Sequence, residues 1–344
     1  MAYTSIDDPT SFFNTVLYTG NGSTQSITGV GFQPDWTWIK SRGTESHALF
    51  DVVRGATKQL PTDTNDAEET VAASLTSFNS DGFSLGSYSR VNQSSVNFVS
   101  WNWLAGGSAS SNSNGSITSN VSVNQTAGFS IVTYTGTGSN ATVGHGLGSV
   151  PRFIVTKNRE TGSNAGWYTY HASQGPTKNL YFHTADSEVT SSDRWQDTTP
   201  TSSVFYVGTN GGTNGSSDDM LAYCFAEKKG YSKFGSYKGT GNSVGAFVYT
   251  GFRPAWVLLK KINGTQNWPL FDNKLRPGNG DGNNFLYIDI NNGQDSSTDF
   301  DMLSNGFKTR TASDLMNGSG DTYVYLAFAH SPFVNSNGVP NNAR

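Results

Sequence analysis

Tyr18-Thr19-Gly20-Asn21-Gly22, followed twelve residues on by Pro34-Asp35-Trp36-Thr37-Trp38-Ile39-Lys40, is a stretch this chain writes three times. The second copy sets Tyr134, Gly136 and Gly138 ahead of Pro151, Phe153 and Lys157. The third sets Tyr237, Gly239 and Gly241 ahead of Pro254, Trp256 and Lys260. Proline to lysine is six residues in every copy, and second glycine to proline is 12, 13 and 13. Spacings held this closely make the 344-residue chain one module of about a hundred residues used three times.

Each copy reads as a strand, a turn and a second strand. Thr15-Val16-Leu17-Tyr18 and Ile131-Val132-Thr133-Tyr134 are β-branched and aromatic, while Phe234-Gly235-Ser236-Tyr237 is a weaker version. The two glycines stop the strand because they reach backbone angles that other residues resist. The proline stands at the start of the next strand, where the missing N–H is tolerated. The phrase is therefore scaffold rather than a site used three times.

Further strands close each copy. Asp81-Gly82-Phe83 and Asn305-Gly306-Phe307 are turn-then-strand signals. The closing strands are Val99–Trp103, Tyr223–Phe225 and Tyr325–Phe328. Alternation puts Trp101 with Trp103, and Tyr223 with Phe225, on one face, expected to be the core of each module. Helical signal is confined to Asp66–Leu75, which could form two or three turns capped by Asp66 or remain a loop. Many short strands with almost no helix predict an all-β fold of three tandem β-sandwich modules, jelly-roll or concanavalin-like.

The expected organisation is a leader at 1–10, module one at 11–107, a linker at 108–126, module two at 127–230, module three at 231–334 and a polar tail at 335–344. Ser108–Ser116 is built of serine, alanine, asparagine and glycine and reads as flexible. Modules two and three meet with almost no linker, which predicts rigid packing between them.

Composition narrows the function. Charged residues are 14% and aromatics 13%, with 39 glycines and a formal net charge of −4. That is a neutral polar surface with abundant rings, and it lacks the basic footprint of a nucleic-acid or anionic-lipid binder. Cys224 is the single cysteine, so no internal disulfide or cysteine-based zinc site can form. The first residues lack the basic and apolar regions of a secretory signal, and no apolar run approaches the length that spans a bilayer.

Searches for chemistry return little. Gly241-Asn242-Ser243-Val244-Gly245 fits a nucleophile-elbow pattern, but runs into strand-like Phe247-Val248-Tyr249 instead of a helix. His47, His145, His171, His183 and His330 show no helical metal-ligand spacing. The acids Asp63, Asp66, Asp218, Asp219, Asp299 and Asp301 fall in turns rather than alternating along one strand as a glycosidase pair would. Asp289–Asp295 carries oxygen ligands of the kind calcium takes, without the glycine and glutamate positions of an EF-hand. No catalytic, cofactor or metal residue is assigned and no cofactor is expected. Adhesive residues are looked for in three loops, Asp63–Glu69, Asn210–Ser217 and Gly278–Asn284.

Several stretches carry a resemblance. Tyr3-Thr4-Ser5-Ile6-Asp7-Asp8-Pro9, Gly106–Ser111, Gly128–Gly136, Tyr323–Ala329, Pro332-Phe333 and Gly338-Val339-Pro340 resemble a family of predicted virion structural proteins of tailed, often marine, bacteriophages, labelled tail-fibre-like or concanavalin-like. The resemblance spans essentially the whole chain. It implies a non-enzymatic part of the particle, in a fibre, appendage or baseplate-associated role contributing to host attachment. Expected partners are other virion proteins, a host surface glycan and further copies of the chain, with no nucleic acid and no membrane insertion. Manufacture in the host cytoplasm and release by lysis follow from the same reading. A decoration or adaptor protein with modules around a pseudo-threefold axis is the alternative, and a polysaccharide depolymerase a third.

Overall fold

The computed structural model describes residues 3–160, 166–275, 279, 283–297 and 299–341. The first repeat comprises β1 Phe13–Thr19, β2 Gln25–Thr28, β3 Trp36–Ser41, β4 Ala48–Asp51, β5 Lys58–Gln59, β6 Glu69–Thr70, β7 Leu75–Asn79, β8 Gly82–Leu85 and β9 Asn97–Trp103. The second comprises β10 Ser110–Asn112, β11 Ser119–Asn124, β12 Phe129–Thr135, β13 Ala141–Gly144, β14 Phe153–Asn158, β15 Trp167–His171, β16 Lys178–Tyr181, β17 Val189–Thr190, β18 Val204–Val207 and β19 Asp219–Phe225. The third comprises β20 Ser232–Lys238, β21 Phe247–Tyr249, β22 Phe252–Lys261, β23 Pro269–Asp272, β24 Asn283–Tyr287, β25 Asp295–Ser297, β26 Phe300–Leu303, β27 Gly306–Thr309 and β28 Thr322–Pro332. The α-helices among the described residues are single turns: α1 Ser89–Asn92, α2 Ser192–Trp195 and α3 Gly211–Asn214. None is long and apolar enough to cross a membrane.

The chain is all-β, in several antiparallel sheets. In each repeat the opening strand pairs with the closing strand, which pairs with the strand after the glycine turn, giving β1-β9-β3-β4, β12-β19-β14-β15 and β20-β28-β22-β23. A smaller sheet accompanies each: β2-β8-β7, β13-β18 and β21-β27-β26. Register repeats as well, since Trp103 lies opposite Trp36, Phe225 opposite Phe153 and Phe328 opposite Trp256.

The closing strands have both faces buried. Phe98, Cys224 and Ala327 face private clusters formed with the small sheet of their own repeat. Trp101, Trp103, Tyr223, Phe225, Leu326 and Phe328 point the other way, into one cluster that all three repeats share. Phe328 sits 5.5 Å from Trp103 and 5.9 Å from Phe225, and Trp36 sits 5.8 Å from Phe225, centroid to centroid. Tilted and edge-on rings at these separations add favourable quadrupole contacts to the burial itself. The rings expected to form each module's own core thus form the joint between the three repeats. Alternation had identified the face correctly, but not what covers it.

Two further expectations are corrected. Residues 108–126 do not form a free linker. They contain β10 and β11, and β11 lies in full antiparallel register on β12. The reason is visible in Ile117, Val121 and Val123: the first two are buried in the second repeat's cluster and the third packs against it. Asp66–Leu75 is not helical either, because Glu69–Thr70 pair with Lys58–Gln59 and β7 begins at Leu75. That pairing lies within the first repeat, and one main-chain bond, Glu68 N to the Arg159 carbonyl, ties the segment to the second.

Candidate functional site

The repeated glycine phrase closes on an asparagine that sequence reading missed. The Tyr18, Tyr134 and Tyr237 hydroxyls donate to the carbonyls of Val91, Thr213 and Met316 at 2.6–2.7 Å. The next residue in each case is Asn92, Asn214 or Asn317. Its carbonyl takes the N–H of Gly22, Gly138 or Gly241 at 2.8–2.9 Å. Its amide donates to Ser23 and Gly86, to Ser139 and Gly208, or to Asn242 and Thr311. Gly22, Gly138 and Gly241 have φ of +69°, +67° and +68°, which only glycine adopts without strain. A Cβ on Gly20, Gly136 or Gly239 would stand 2.0–2.2 Å from a backbone carbonyl oxygen. The signal was present as Val91-Asn92, Thr213-Asn214 and Met316-Asn317, each asparagine five residues before a closing strand begins.

The lysine that ends the phrase belongs to a ring of contacts between repeats. Lys40 Nζ donates to the Asn291 carbonyl of the third repeat at 3.3 Å. Lys157 Nζ donates to Asn65 of the first at 3.4 Å, and Lys260 Nζ to Ala185 of the second at 2.7 Å. Two residues further on, Arg42, Arg159 and Ile262 accept main-chain bonds from Gln294, Glu68 and Glu188 at 2.8–2.9 Å. The pattern runs first to third, third to second and second to first, so it closes. Burial pulls the ammonium groups down, Lys40 and Lys260 to about 8 and Lys157 to about 7.

Side chains at matching positions brace the repeats and their seams. Within its own repeat, each of Asp63, His183 and Asp289 accepts a main-chain N–H, from His47, Trp167 and Trp268, at 3.0–3.2 Å. Asp272 Oδ2 accepts from Trp101 Nε1 at 2.9 Å and from Thr15 Oγ1 at 2.7 Å across the seam between the third and first repeats. Asp51 Oδ2 accepts from the Tyr223 hydroxyl at 2.7 Å across the next seam, where Arg54, Glu68 and Arg159 add a buried charge network. In the remaining seam His171 stands in the aspartate position. Its Nδ1 accepts from Ser173 N and its Nε2 donates to the Tyr325 carbonyl at 3.3 Å.

Four of the histidines are thus accounted for as neutral structural groups. Nδ1 of His47, His145, His171 and His183 each accepts an N–H. Burial pushes His47 down to about 3 and the other three to about 4. A proton on Nδ1 would cost both the bond and the desolvation of a cation. His330 lies on β28 with its side chain exposed.

The acids are similarly engaged. Burial raises Asp289 to about 6 and raises Asp35 and Asp272, yet each receives main-chain N–H bonds. The carboxylates closest to a pair, Asp314 and Asp321, hold Lys261 between them at 2.6 and 2.9 Å. Hydrogen bonds from Lys261 and Gln266 take Asp314 down to about 2, which is unsuited to a general acid near neutrality. Asp289, the first of the candidate calcium oxygens, is committed to Trp268 N, and among the described residues no group of three His, Cys, Asp or Glu could hold a metal ion. Ser243 of the elbow-like pattern sits exposed in the turn that leads to β21.

Of the adhesive loops, Asp63–Glu69 lies in the seam between the first and second repeats, bonded to Lys157 and Arg159. Asn210–Ser217 forms α3 and the asparagine clamp, with Asn210 Oδ1 capping Gly212 N at 3.0 Å. In Gly278–Asn284, residues 278 and 280–282 lie outside the described residues. Asn279 there exchanges two bonds with the main chain of Met302.

What varies freely between the repeats is the outer face of the small sheets. Ile27, Val143 and Val248 are the matching inward residues, opposite Phe83, Phe205 and Phe307. Their outward neighbours are Ser26 and Thr28 in the first repeat, Thr142 and Gly144 in the second, and Phe247 and Tyr249 in the third. Phe247 is 49% and Tyr249 47% exposed.

Compared with known proteins, residues 8–332 match one family model, described as a domain of unknown function (DUF7483). No curated protein matches the chain.

Proposed function

The chain belongs to the DUF7483 family, a domain of unknown function, and from that premise we propose that it is a non-enzymatic structural protein of a tailed-phage particle, in a fibre, appendage or baseplate-associated role that contributes to host attachment. The observation that carries this reading is the closed ring of seams. The three matching lysines, with Asp51, Asp272 and His171, are spent on joining repeats, which suits a rigid building block. The motif resemblance along the whole chain supplies the particle, and the outward residues that differ between repeats supply surfaces for a host glycan or for other virion proteins.

At finer grain, each repeat is read as a β-sandwich of jelly-roll type. First strand pairs with last and second with next to last, as in β1-β9 with β2-β8, which is the nesting a rolled hairpin produces. β4 beside β3 in the larger sheet departs from the simplest version of that order.

A second reading, a decoration or adaptor protein at a threefold position of a capsid or tail, is favoured by one specific observation. The same lysine-to-carbonyl bond recurs at all three seams, so the chain carries an internal threefold of its own. Mass spectrometry of density-purified particles, followed by docking into a particle map, tests both. Stoichiometric presence at a tail tip or fibre supports attachment, and a place on a capsid or tail threefold supports the adaptor. Absence from intact particles contradicts both. Release of reducing ends from host polysaccharide by the purified protein would contradict the non-enzymatic reading.

A further inference from the structure

We propose that β21 is a strand-addition site: its free edge takes an extended, uncharged Ser/Asn/Gly-rich segment of a partner polypeptide carrying one branched aliphatic residue. Among the described residues β21 has β27 as its one strand partner. Thr309 N donates to Ala246 O at 3.1 Å and Thr250 N to Asn305 O at 3.0 Å. Main-chain groups alternate sides along a strand, so those of Phe247 and Tyr249 face away from β27. Their rings, with Val244 at 70% exposure, border that edge, where the Tyr249 hydroxyl also meets the Tyr3 hydroxyl at 3.2 Å and Lys233 Nζ stands 5.6 Å from the Tyr249 ring. An open edge of this kind is a template for pairing, which proteins ordinarily blunt with charge, proline, bulges or very short strands. The first repeat presents Ser26 and Thr28 at the matching positions, without apolar rings.

The occupant follows from the second repeat, where residues 116–119 of the chain itself meet the matching edge through an isolated parallel bridge. Ile117 bridges Val143 in parallel and donates its N–H to Thr142 O at 3.0 Å. Ser116 N donates to Thr142 Oγ1 at 2.8 Å, and Thr142 N to Ser116 Oγ at 2.9 Å. Ser119 Oγ donates to Gly144 O at 2.8 Å, and Asn112 packs where a side chain on Gly144 would stand. Thr142 and Gly144 are the positional counterparts of Phe247 and Tyr249. Small residues in the second repeat admit the bridging segment around Ile117. In the third, aromatic residues border an edge that no bridge meets among the described residues. Main-chain pairing supplies affinity in such additions, and alternate side chains supply selectivity.

The test uses the full chain and a fluorescein-labelled synthetic peptide of residues 110–119. Saturable anisotropy is expected, with Kd raised about tenfold or more by Phe247→Pro, which removes one outward N–H and spares the β27 ladder. Tyr249→Lys, which leaves the backbone intact, is expected to weaken binding likewise should the proline variant misfold. Ser26→Pro in the first repeat should change nothing. No saturation at millimolar peptide, or a Kd indifferent to both third-repeat substitutions, overturns the proposal. It is also overturned if sedimentation shows copies of the chain pairing with each other in a way that Tyr249→Lys abolishes.

Discussion

The indole N–H of Trp101 meets Asp272 Oδ2 at 2.9 Å, one seam away from where the Tyr223 hydroxyl meets Asp51 Oδ2 at 2.7 Å. Trp101 and Tyr223 hold the same place in their closing strands, and the two aspartates hold the same place after β3 and β22. Trp101→Phe would strip a buried carboxylate of one donor while leaving Thr15 in place. A cost of about 1–3 kcal/mol is expected in urea unfolding, with Tyr223→Phe in the same range.

The third seam replaces both partners at once. Leu326 offers no donor, and His171 turns to the Tyr325 carbonyl instead. His171→Asp places a carboxylate against that carbonyl and should cost several kcal/mol. Leu326→Tyr in the same chain rebuilds the pairing of the other seams and should recover part of the loss. A double-mutant cycle with no coupling would show that the positions do not meet.

Buried histidines set the acid limb of stability. His145, His171 and His183 titrate near 4 when folded against about 6.5 when unfolded. The unfolded chain therefore binds more protons in that window, and stability falls as pH drops from about 6.5 to about 4. Asp289, raised to about 6, opposes the trend because there the folded state holds the extra proton. Denaturation midpoints across the window should become less pH-dependent in His171→Asn.

Lysine acts at the other end. Lys157 is drawn to about 7 by burial against an unfolded value near 10.5. Between those values the unfolded state carries the proton that the folded state has shed, so stability rises with pH from about 7 to 10. Lys157→Met should reduce that rise, most between about pH 7 and 8, leaving the part due to Lys40 and Lys260, as measured by chemical denaturation at a series of pH values.

Fold class was legible because the glycine phrase marks a strand end at Tyr18 and a strand start after Pro34 in local residues, although both strands pair with the distant β9 rather than with each other. The seams were not legible, because their partners are distant. Lys40 and Asn291 are 251 residues apart, and Asp51 and Tyr223 are 172 apart. Both faces of β9, β19 and β28 are buried, with Ser100 and Asn102 on one face of β9, and a buried face does not say which sheet will cover it. Residues 108–126 misled through composition, since serine and asparagine outnumber the Ile117, Val121 and Val123 that decide where the segment lies.

The asparagine clamp gives a prediction for each turn. Asn214→Ala removes donors to Ser139 and Gly208 and the acceptor for Thr137 N. A loss of about 2–4 kcal/mol is expected from urea denaturation, larger than for an exposed asparagine because Asn214 and the abandoned Gly208 carbonyl are buried.

Differential scanning calorimetry of the full chain tests the closed ring most directly. Three repeats sharing one core and three reciprocal seams should unfold together, in a single transition whose calorimetric and van't Hoff enthalpies agree. A calorimetric enthalpy about three times the van't Hoff value, or three resolvable transitions, would mean that the repeats melt independently and would contradict the ring.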